Sequence, residues 1–475
     1  MTHPRRRAYR PRPTVRAHPR SLSAALALAA LACSGPPQAS SGPVDRLVFP
    51  ASVAVRGQDV LVVSTNFDLL YSEQEGGTVL ALSAVPPAVG AASGVNIGSL
   101  GGEIAIADAA ACGLSQTLAL VPSRSTNALY RLAVGPDGIP TCGQGCAIPL
   151  RSDLADPYGV AVACRAGGPN RVFLSYLRTP NLVGYVTMFT FDPDASLSQQ
   201  LVQTANVGVD PARSFAYDQG SDRVYFTGAS TGATALFRWF DLAGGCRIDV
   251  ASTDPTACPL SAMDLFPLVR GADLRGIALS TPIPGQPRRA YVAARLFDAD
   301  VAATIGGRPN YDIGGVLLVL ELDEGPDGRI HPQLVNTIDA GLGVSEVAVL
   351  GKRPAAACSN PAGCRDLVAV TSGDAGLFQI YDDEVGAMRR VFGRDVNGAP
   401  ELGRFPFGLA VVPLDPTQGP SKLTQCQIAG ECARVYVSAF QDNFVSAVDV
   451  PLADPGSAAL VVTSDGLPWR IGGAP

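Results

Sequence analysis

The stretch Val435-Tyr436-Val437-Ser438-Ala439-Phe440, followed after Gln441-Asp442 by Asn443-Phe444-Val445-Ser446-Ala447-Val448-Asp449, spells two strands rich in β-branched and aromatic residues joined by a polar turn. Upstream stands a third apolar run, Pro406-Phe407-Gly408-Leu409-Ala410-Val411, entered through a proline and carrying a small residue at its centre. Moving outward, the same triplet recurs. Inner runs begin at Phe49-Pro50-Ala51-Ser52-Val53, Gly101-Gly102-Glu103-Ile104, Pro157-Tyr158-Gly159-Val160, Ala212-Arg213-Ser214-Phe215, Leu274-Arg275-Gly276-Ile277 and Val344-Ser345-Glu346-Val347. Each is followed by a second strand (such as Val60–Ser64 or Leu367–Thr371) and a third (such as Thr78–Leu82 or Leu377–Tyr381).

Seven such units over nearly the whole chain predict an all-β fold: a single β-propeller over residues 45–475, with seven four-stranded antiparallel blades and six or eight as the alternatives. The regular repeat overrides the two or three domains that 475 residues would otherwise suggest. Small residues inside the inner runs fit the crowding near a propeller axis. The surplus length falls in the loops Thr281–Arg288, Phe297–Asp312, Lys352–Arg365 and Pro413–Ala433. Leu467-Pro468-Trp469-Arg470-Ile471 repeats the start at Phe405-Pro406-Phe407-Gly408-Leu409, so the ends are expected to meet, one terminus adding a strand to a blade built by the other.

The Tyr-Val strand, the Asn443 turn and the Val-Asp strand resemble the repeat of YVTN/NHL-like β-propellers, and Phe49–Ser83 resembles the opening blade of bacterial propeller lipoproteins. The resemblance covers roughly residues 45–470 and implies a fold. It does not imply one activity, since such propellers include surface, sensing, binding and lactonase-like members.

The N-terminal segment gives an address. Residues 1–20 carry seven arginines and no acid, and lead into the apolar run Leu22–Ala32. This pattern is that of a secretory signal peptide, its apolar run shorter than the roughly 20 residues of a membrane span. Ala30-Leu31-Ala32-Cys33 resembles a lipobox, although the usual leucine three places before the cysteine is absent. The expectation is a signal peptide over 1–32, lipidation at Cys33 and a Ser/Gly/Pro-rich tether over 33–44, placing the body at a bacterial cell envelope, on its periplasmic or outer-surface face. Subtracting the seven signal arginines from 36 basic residues leaves 29 against 42 acids, a net of −13. That charge argues against nucleic acid and anionic headgroups as partners, so membrane attachment is expected through lipid alone.

Beyond Cys33, ten cysteines remain, an even number suited to an oxidising compartment. Cys358–Cys364 and Cys426–Cys432 each fall within a short loop, Cys246–Cys258 and Cys142–Cys146 pair by the same argument, and Cys112–Cys164 are left by elimination. No paired Cys-x2-Cys or neighbouring histidine supports a zinc site.

Chemical signals are sparse. Gly228-Ala229-Ser230-Thr231-Gly232 matches Gly-x-Ser-x-Gly, but it joins two strands and reads as a hairpin turn, with Ser230 an ordinary turn residue. His331 is the sole histidine of the body and is expected on an outer strand, which removes serine triads, haem and histidine metal centres. A carboxylate calcium site has two places open to it, Asp323/Glu324/Asp327 and Asp298/Asp300/Asp312; both read first as turns, and no metal or cofactor is assigned. Aligning the inner runs places Tyr158, Arg213, Arg275 and Phe407 in one column, with Glu103 and Glu346 one position later. These six form the expected ligand-binding mouth of the channel, the alternative being that their charges pair with one another and plug it. The function expected is a monomeric, non-enzymatic binding or scaffolding module for a cell-envelope protein, a peptide or a small polar ligand. The alternative is a lactonase-like hydrolase using the mouth carboxylates and arginines, with a divalent metal as an option.

Overall fold

In β2 (Asp59–Ser64), Val60 and Val62 face one way, Leu61 and Val63 the other, and all four are fully buried. A strand apolar on both faces needs cover on both. Val60 and Val62 pack with Tyr436, Val445 and Ala447, while Leu61 and Val63 pack with Val121 and Leu132, so the strand lies between two different sheets. A ring of sheets meets that demand for every blade at once.

The computed structural model describes residues 44–472 except 45, 58, 68–75, 84–92, 166–168, 179–182, 192–201, 231, 306–310, 359–363, 415–422, 429 and 463–469. Its sheets follow chain order and number seven. Blade 1 is β1 (Pro50–Arg56), β2, β3 (Gly77–Ser83) and β4 (Ser93–Ile97). Blade 2 is β5 (Ala105–Ala107), β6 (Thr117–Ser123) and β7 (Ala128–Val134), with β8 (Pro140–Thr141) and β9 (Ala147–Pro149) sharing its outer position. Blade 3 runs β10 (Ala155–Ala163), β11 (Asn170–Arg178), β12 (Val183–Phe191) and β13 (Val202–Val209). Blade 4 runs β14 (Ala212–Asp218), β15 (Arg223–Gly228), β16 (Leu236–Asp241) and β17 (Leu260–Asp264). Blade 5 runs β18 (Ala272–Leu279), β19 (Arg288–Leu296), β20 (Gly314–Glu324) and β21 (Ile330–Asp339). Blade 6 runs β22 (Val344–Lys352), β23 (Asp366–Ser372), β24 (Leu377–Asp382) and β25 (Ala387–Phe392). Blade 7 is β26 (Pro406–Pro413), β27 (Cys432–Ala439) and β28 (Phe444–Pro451), edged by β29 (Ala459–Leu460) and β30 (Arg470–Gly472). Among the described residues, α-helix is confined to α1 (Ala109–Cys112) and α2 (Ala299–Ile305), both in connections.

Seven apolar clusters fill the seven gaps between neighbouring blades, including the gap between blades 7 and 1. Closure differs from the expectation. Every blade is built from consecutive strands, and β30 returns to β28 of its own blade rather than to blade 1. The seam is instead closed by side chains. Leu47 and Val53 join Tyr436 and Val445 in one cluster, Phe49 and Phe67 both pack on Phe440, and the Phe49 amide donates to Asn443 Oδ1 at 2.8 Å. Asn443 holds φ 60, the left-handed turn conformation that asparagine tolerates, and so the turn residue of the last blade also caps the first.

Disulfides join all five expected cysteine pairs. Four span four to twelve residues, whereas Cys112–Cys164, with Cα atoms 4.5 Å apart, ties α1 of blade 2 to the β10–β11 connection of blade 3. Cys33, the signal segment and the tether up to residue 43 lie outside the described residues.

A repeated bulge links the blades near the axis. In β10, β14, β18, β22 and β26, pairing with the second strand skips two residues near the start of the inner strand, as between Ala212↔Gly228 and Phe215↔Phe226. A bulge leaves backbone groups without ladder partners, and burial makes that costly. Second-strand hydroxyls supply the missing bonds. Ser175 accepts from the Gly159 amide of its own blade at 2.8 Å and donates to Arg213 O of the next at 2.5 Å. Thr227 accepts from Ser214 N at 3.2 Å and donates to Arg275 O at 2.7 Å, and Thr371 donates to Phe407 O at 2.8 Å. Blade 5 has Ala293 there, and Arg295 substitutes by donating from Nε to Val344 O at 3.0 Å. Gly159 shows why the central residue is small: a Cβ there would lie 1.9 Å from Arg213 O.

Thr227 is fully buried, so Thr227→Val exchanges two hydrogen bonds for two orphaned backbone groups at nearly constant volume. The expected loss in urea unfolding is about 2–3 kcal/mol. Thr227→Ser keeps the hydroxyl and should lose about 1 kcal/mol or less; equal losses for both variants would show that the relay contributes nothing.

Candidate functional site

All six residues expected at the channel mouth occupy the bulges. Tyr158, Arg213, Arg275 and Phe407 are first bulge residues, and Glu346 is the second of its pair. In blade 2 the bridge Gly101↔Ser123 precedes resumed pairing at Ala105↔Leu120, which places Glu103 in the matching gap. A bulge turns its side chains away from the sheet faces. Here they turn inward, and the two glutamates arrive from blades 2 and 6 on opposite sides of the axis.

The structure divides the six into two groups. Arg275 Nη2 lies 2.7 Å from Asp273 Oδ2 and Arg213 Nη1 lies 3.8 Å from the same oxygen. Asp273 is fully buried, and its Oδ1 accepts from the Ser230 amide at 2.9 Å. Both arginines are thus held to one carboxylate that the sequence reading did not single out. The signal was present in Ala272-Asp273-Leu274-Arg275, an acid two positions from the arginine in an inner strand whose other residues are apolar or glycine.

The other group borders a void. Glu103, Tyr158, Phe215, Glu346 and Phe407 line a cavity of about 200 Å³ on the axis, and neither arginine is part of its wall. Ser214 Oγ donates to Glu103 Oε1, and the Glu103 amide donates to Tyr158 O at 2.9 Å. Glu346 lies over Gly276, where an added Cβ would come within 2.6 Å of Oε2; the glycine leaves room for the carboxyl.

Although part of its surface borders the void, Glu103 sits deep in the ring, and burial raises its pKa to about 7 against the lowering effects of Ser214 and Arg213. Burial also raises Glu346 well above the usual carboxylate range, reinforced by the charge of Glu103 across the channel and opposed by Arg213 and Arg275. Burial, then the two carboxylates, raises the Tyr158 phenol, which stays protonated. With Asp273 charged and both arginines charged, the cluster is neutral when the two glutamates share one proton. In low dielectric that is the favoured state.

The remaining chemical signals resolve into structure. Ser230 lies in the β15–β16 turn, its Oγ donating to Thr234 O at 2.6 Å. His331 is exposed on β21 beside Asp327 at 3.4 Å. Neither carboxylate trio forms a cage: Glu324 pairs with Arg223, Asp312 with Arg295 and Asp300 with Arg270, while Asp298 caps α2. Among the described residues no group of three or more His, Cys, Asp or Glu side chains is placed to hold a metal ion. A larger cavity, about 460 Å³, opens at the far end of blades 4 and 5, where Arg288 pairs with Asp218 and Arg223 with Asp241 and Glu324.

No family model matches this chain. No curated protein matches it. Among solved structures, a "putative 6-phosphogluconolactonase" of Bacteroides fragilis is 15% identical, with 73% of this chain and 83% of that one covered and a TM-score of 0.46. One of the same description from Bacteroides uniformis is 14% identical, covering 72% and 84%, with a TM-score of 0.45. An apocarotenoid oxygenase of Synechocystis is 11% identical over 91% of this chain and 96% of that one, with a TM-score of 0.45. None of these likenesses places a ligand or a catalytic residue on this chain.

The raised Glu103 pKa has a definite consequence for stability. The folded state holds this proton more tightly than the unfolded chain, so the contribution is fully present below about pH 4.5 and is lost as pH rises through about 7. Glu103→Gln keeps the shape of the protonated acid and cannot ionise. Its thermal midpoint should fall less than that of the parent between pH 5 and 8; parallel pH profiles would show that Glu103 titrates normally.

Proposed function

We propose that this chain is a lipid-anchored, extracytoplasmic binding module of the YVTN/NHL-like propeller type that takes a small polar ligand at its channel mouth without covalent chemistry. The observation that carries the reading is the axial void, walled by two carboxyl groups and the rings of Tyr158 and Phe407 on bulges that the ring itself braces, with Phe215 on the adjoining strand. Stiff backbone with a small preformed cavity suits recognition. The two candidate catalytic residues lie away from the void in structural roles: the Ser230 hydroxyl is engaged with Thr234 and His331 stands on an outer strand. The address rests on the arginine-rich segment, the apolar run and Cys33, and the five disulfides agree with an oxidising compartment. In this reading the body acts as a monomer at the periplasmic or outer-surface face of the envelope.

A lactonase-like hydrolase is the second reading, and the placement of Glu103 at the void favours it, since burial raises its pKa to about 7, where a general acid or base works best. A calcium-assisted version would need backbone carbonyls and water beside Glu103 and Glu346 to reach the six to eight oxygens calcium takes. Two measurements separate the possibilities. Cys33→Ser should abolish labelling by a palmitate analogue and release the protein from membranes; retained label would remove the lipoprotein assignment. Incubation with δ-gluconolactone should give no hydrolysis above the buffer rate, and turnover that disappears in Glu103→Gln would transfer the assignment to the hydrolase.

A further inference from the structure

We propose that the void between Glu103, Glu346, Tyr158, Phe215 and Phe407 is a site for a small organic monocation, an ammonium group carried on an apolar body. The inference rests on the reading of the channel as a ligand site and adds the charge of the ligand.

The argument begins with the wall. Its polar side chains include two carboxyl groups facing each other across the axis, and its apolar part presents three aromatic rings. Carboxyl oxygens and ring faces both attract an ammonium group, the rings through their negative quadrupole face. The cations nearby do not compete for the space. Arg213 and Arg275 stand outside the wall and share Asp273. A volume of about 200 Å³ is room for about seven waters, which suits one ring or short chain with a single charged head.

Charge decides between a cation and an anion. The groups facing Glu103 are Glu346, Tyr158, Ser214 and Arg213; those facing Glu346 are Glu103, Tyr158, Arg213 and Arg275. Two arginines against Asp273 and two glutamates leave one excess negative charge when every carboxyl is ionised. The empty site cancels it with a shared proton, and a monocation cancels it by taking that proton's place. Binding therefore releases about one proton, and affinity rises with pH through the range in which the carboxyl pair holds it, near 7 for Glu103. An anion would have to recruit a further proton and would meet carboxyl oxygens rather than guanidinium nitrogens.

Calorimetric titration of the intact folded body with benzylammonium, which stays charged between pH 6 and 8, tests the inference. Benzyl alcohol and benzoate serve as probes with the same ring. Benzylammonium should bind at least fivefold more tightly at pH 8 than at pH 6, with close to one proton released when two buffers of different ionisation enthalpy are compared. Glu346→Gln should weaken it at least tenfold at pH 8 and flatten the pH dependence, and Glu103→Gln should do the same by removal of the other carboxylate, with circular dichroism confirming the fold of each. Benzyl alcohol or benzoate binding where benzylammonium does not, in a manner lost with Phe407→Ala, would leave the ligand site standing and overturn the cation. Failure of all three probes would overturn both, and benzylammonium binding that neither glutamine variant alters would place the cation elsewhere and also overturn the inference.

Discussion

The ring depends on backbone groups that cannot be satisfied within one blade. Each inner strand must bend near the axis, a bulge makes the bend, and a bulge leaves carbonyls and amides without ladder partners. Ser175, Thr227 and Thr371 supply hydrogen bonds that reach from one blade to the next, with Arg295 doing so where alanine replaces the hydroxyl. Pairing the bulge backbone and closing the ring are therefore one problem with one solution. The two-faced strands add the apolar adhesive between blades, but the hydroxyls and Arg295 set where on the neighbour each bulge must sit.

That constraint also produces the site. Side chains on bulges point toward the axis because the sheet faces are already occupied, so any residue placed there meets residues from several other blades. Two of the seven positions received glutamates, and the ring holds them in surroundings that disfavour their charged forms. Elsewhere in the fold, buried acids have close cationic or amide partners: Asp449 is bridged twice by Arg434, and Asp383 receives Arg289 and Tyr291. Glu103 and Glu346 differ in that burial outweighs their partners: Glu103 has the Ser214 hydroxyl and the Val160 amide, and Arg213 and Arg275 offset only part of the burial of Glu346. A buried carboxyl left short of counter-charge costs stability, and an occupant able to supply the counter-charge offsets that cost.

Much of this architecture was legible because propeller strands announce themselves. Val435–Ala439 and Phe444–Asp449 carry their burial in their composition, and the column of Tyr158, Arg213, Arg275 and Phe407 came from alignment of starts alone. What the sequence did not disclose was partnership. Nothing local says that Arg213 and Arg275 would share Asp273, because that pairing joins β14 to β18 across a blade boundary. Closure was misjudged for a related reason. The repeat at Leu467–Ile471 looked like an eighth inner start, yet β30 pairs with β28 at the blade's outer side, and the seam is made by Phe49, Phe440 and Asn443, whose meeting depends on residues nearly four hundred positions apart.

The placement of the disulfides gives the ring a mechanical direction. The seam between blades 7 and 1 is closed by packing and hydrogen bonds, so a pull on the N-terminus acts first on a non-covalent joint. Blade 1 can peel away, and the strands of blade 2 ahead of α1 can follow. Extension then reaches Cys112, whose bond to Cys164, 52 positions further on, withholds the chain between them and passes the load directly to blade 3. The remaining four bridges close short loops and do not interrupt the path in this way. A protein drawn from its first strand thus has a built-in stop soon after the first of seven blades, with the axial void dismantled on one side only, at blade 1 and Glu103.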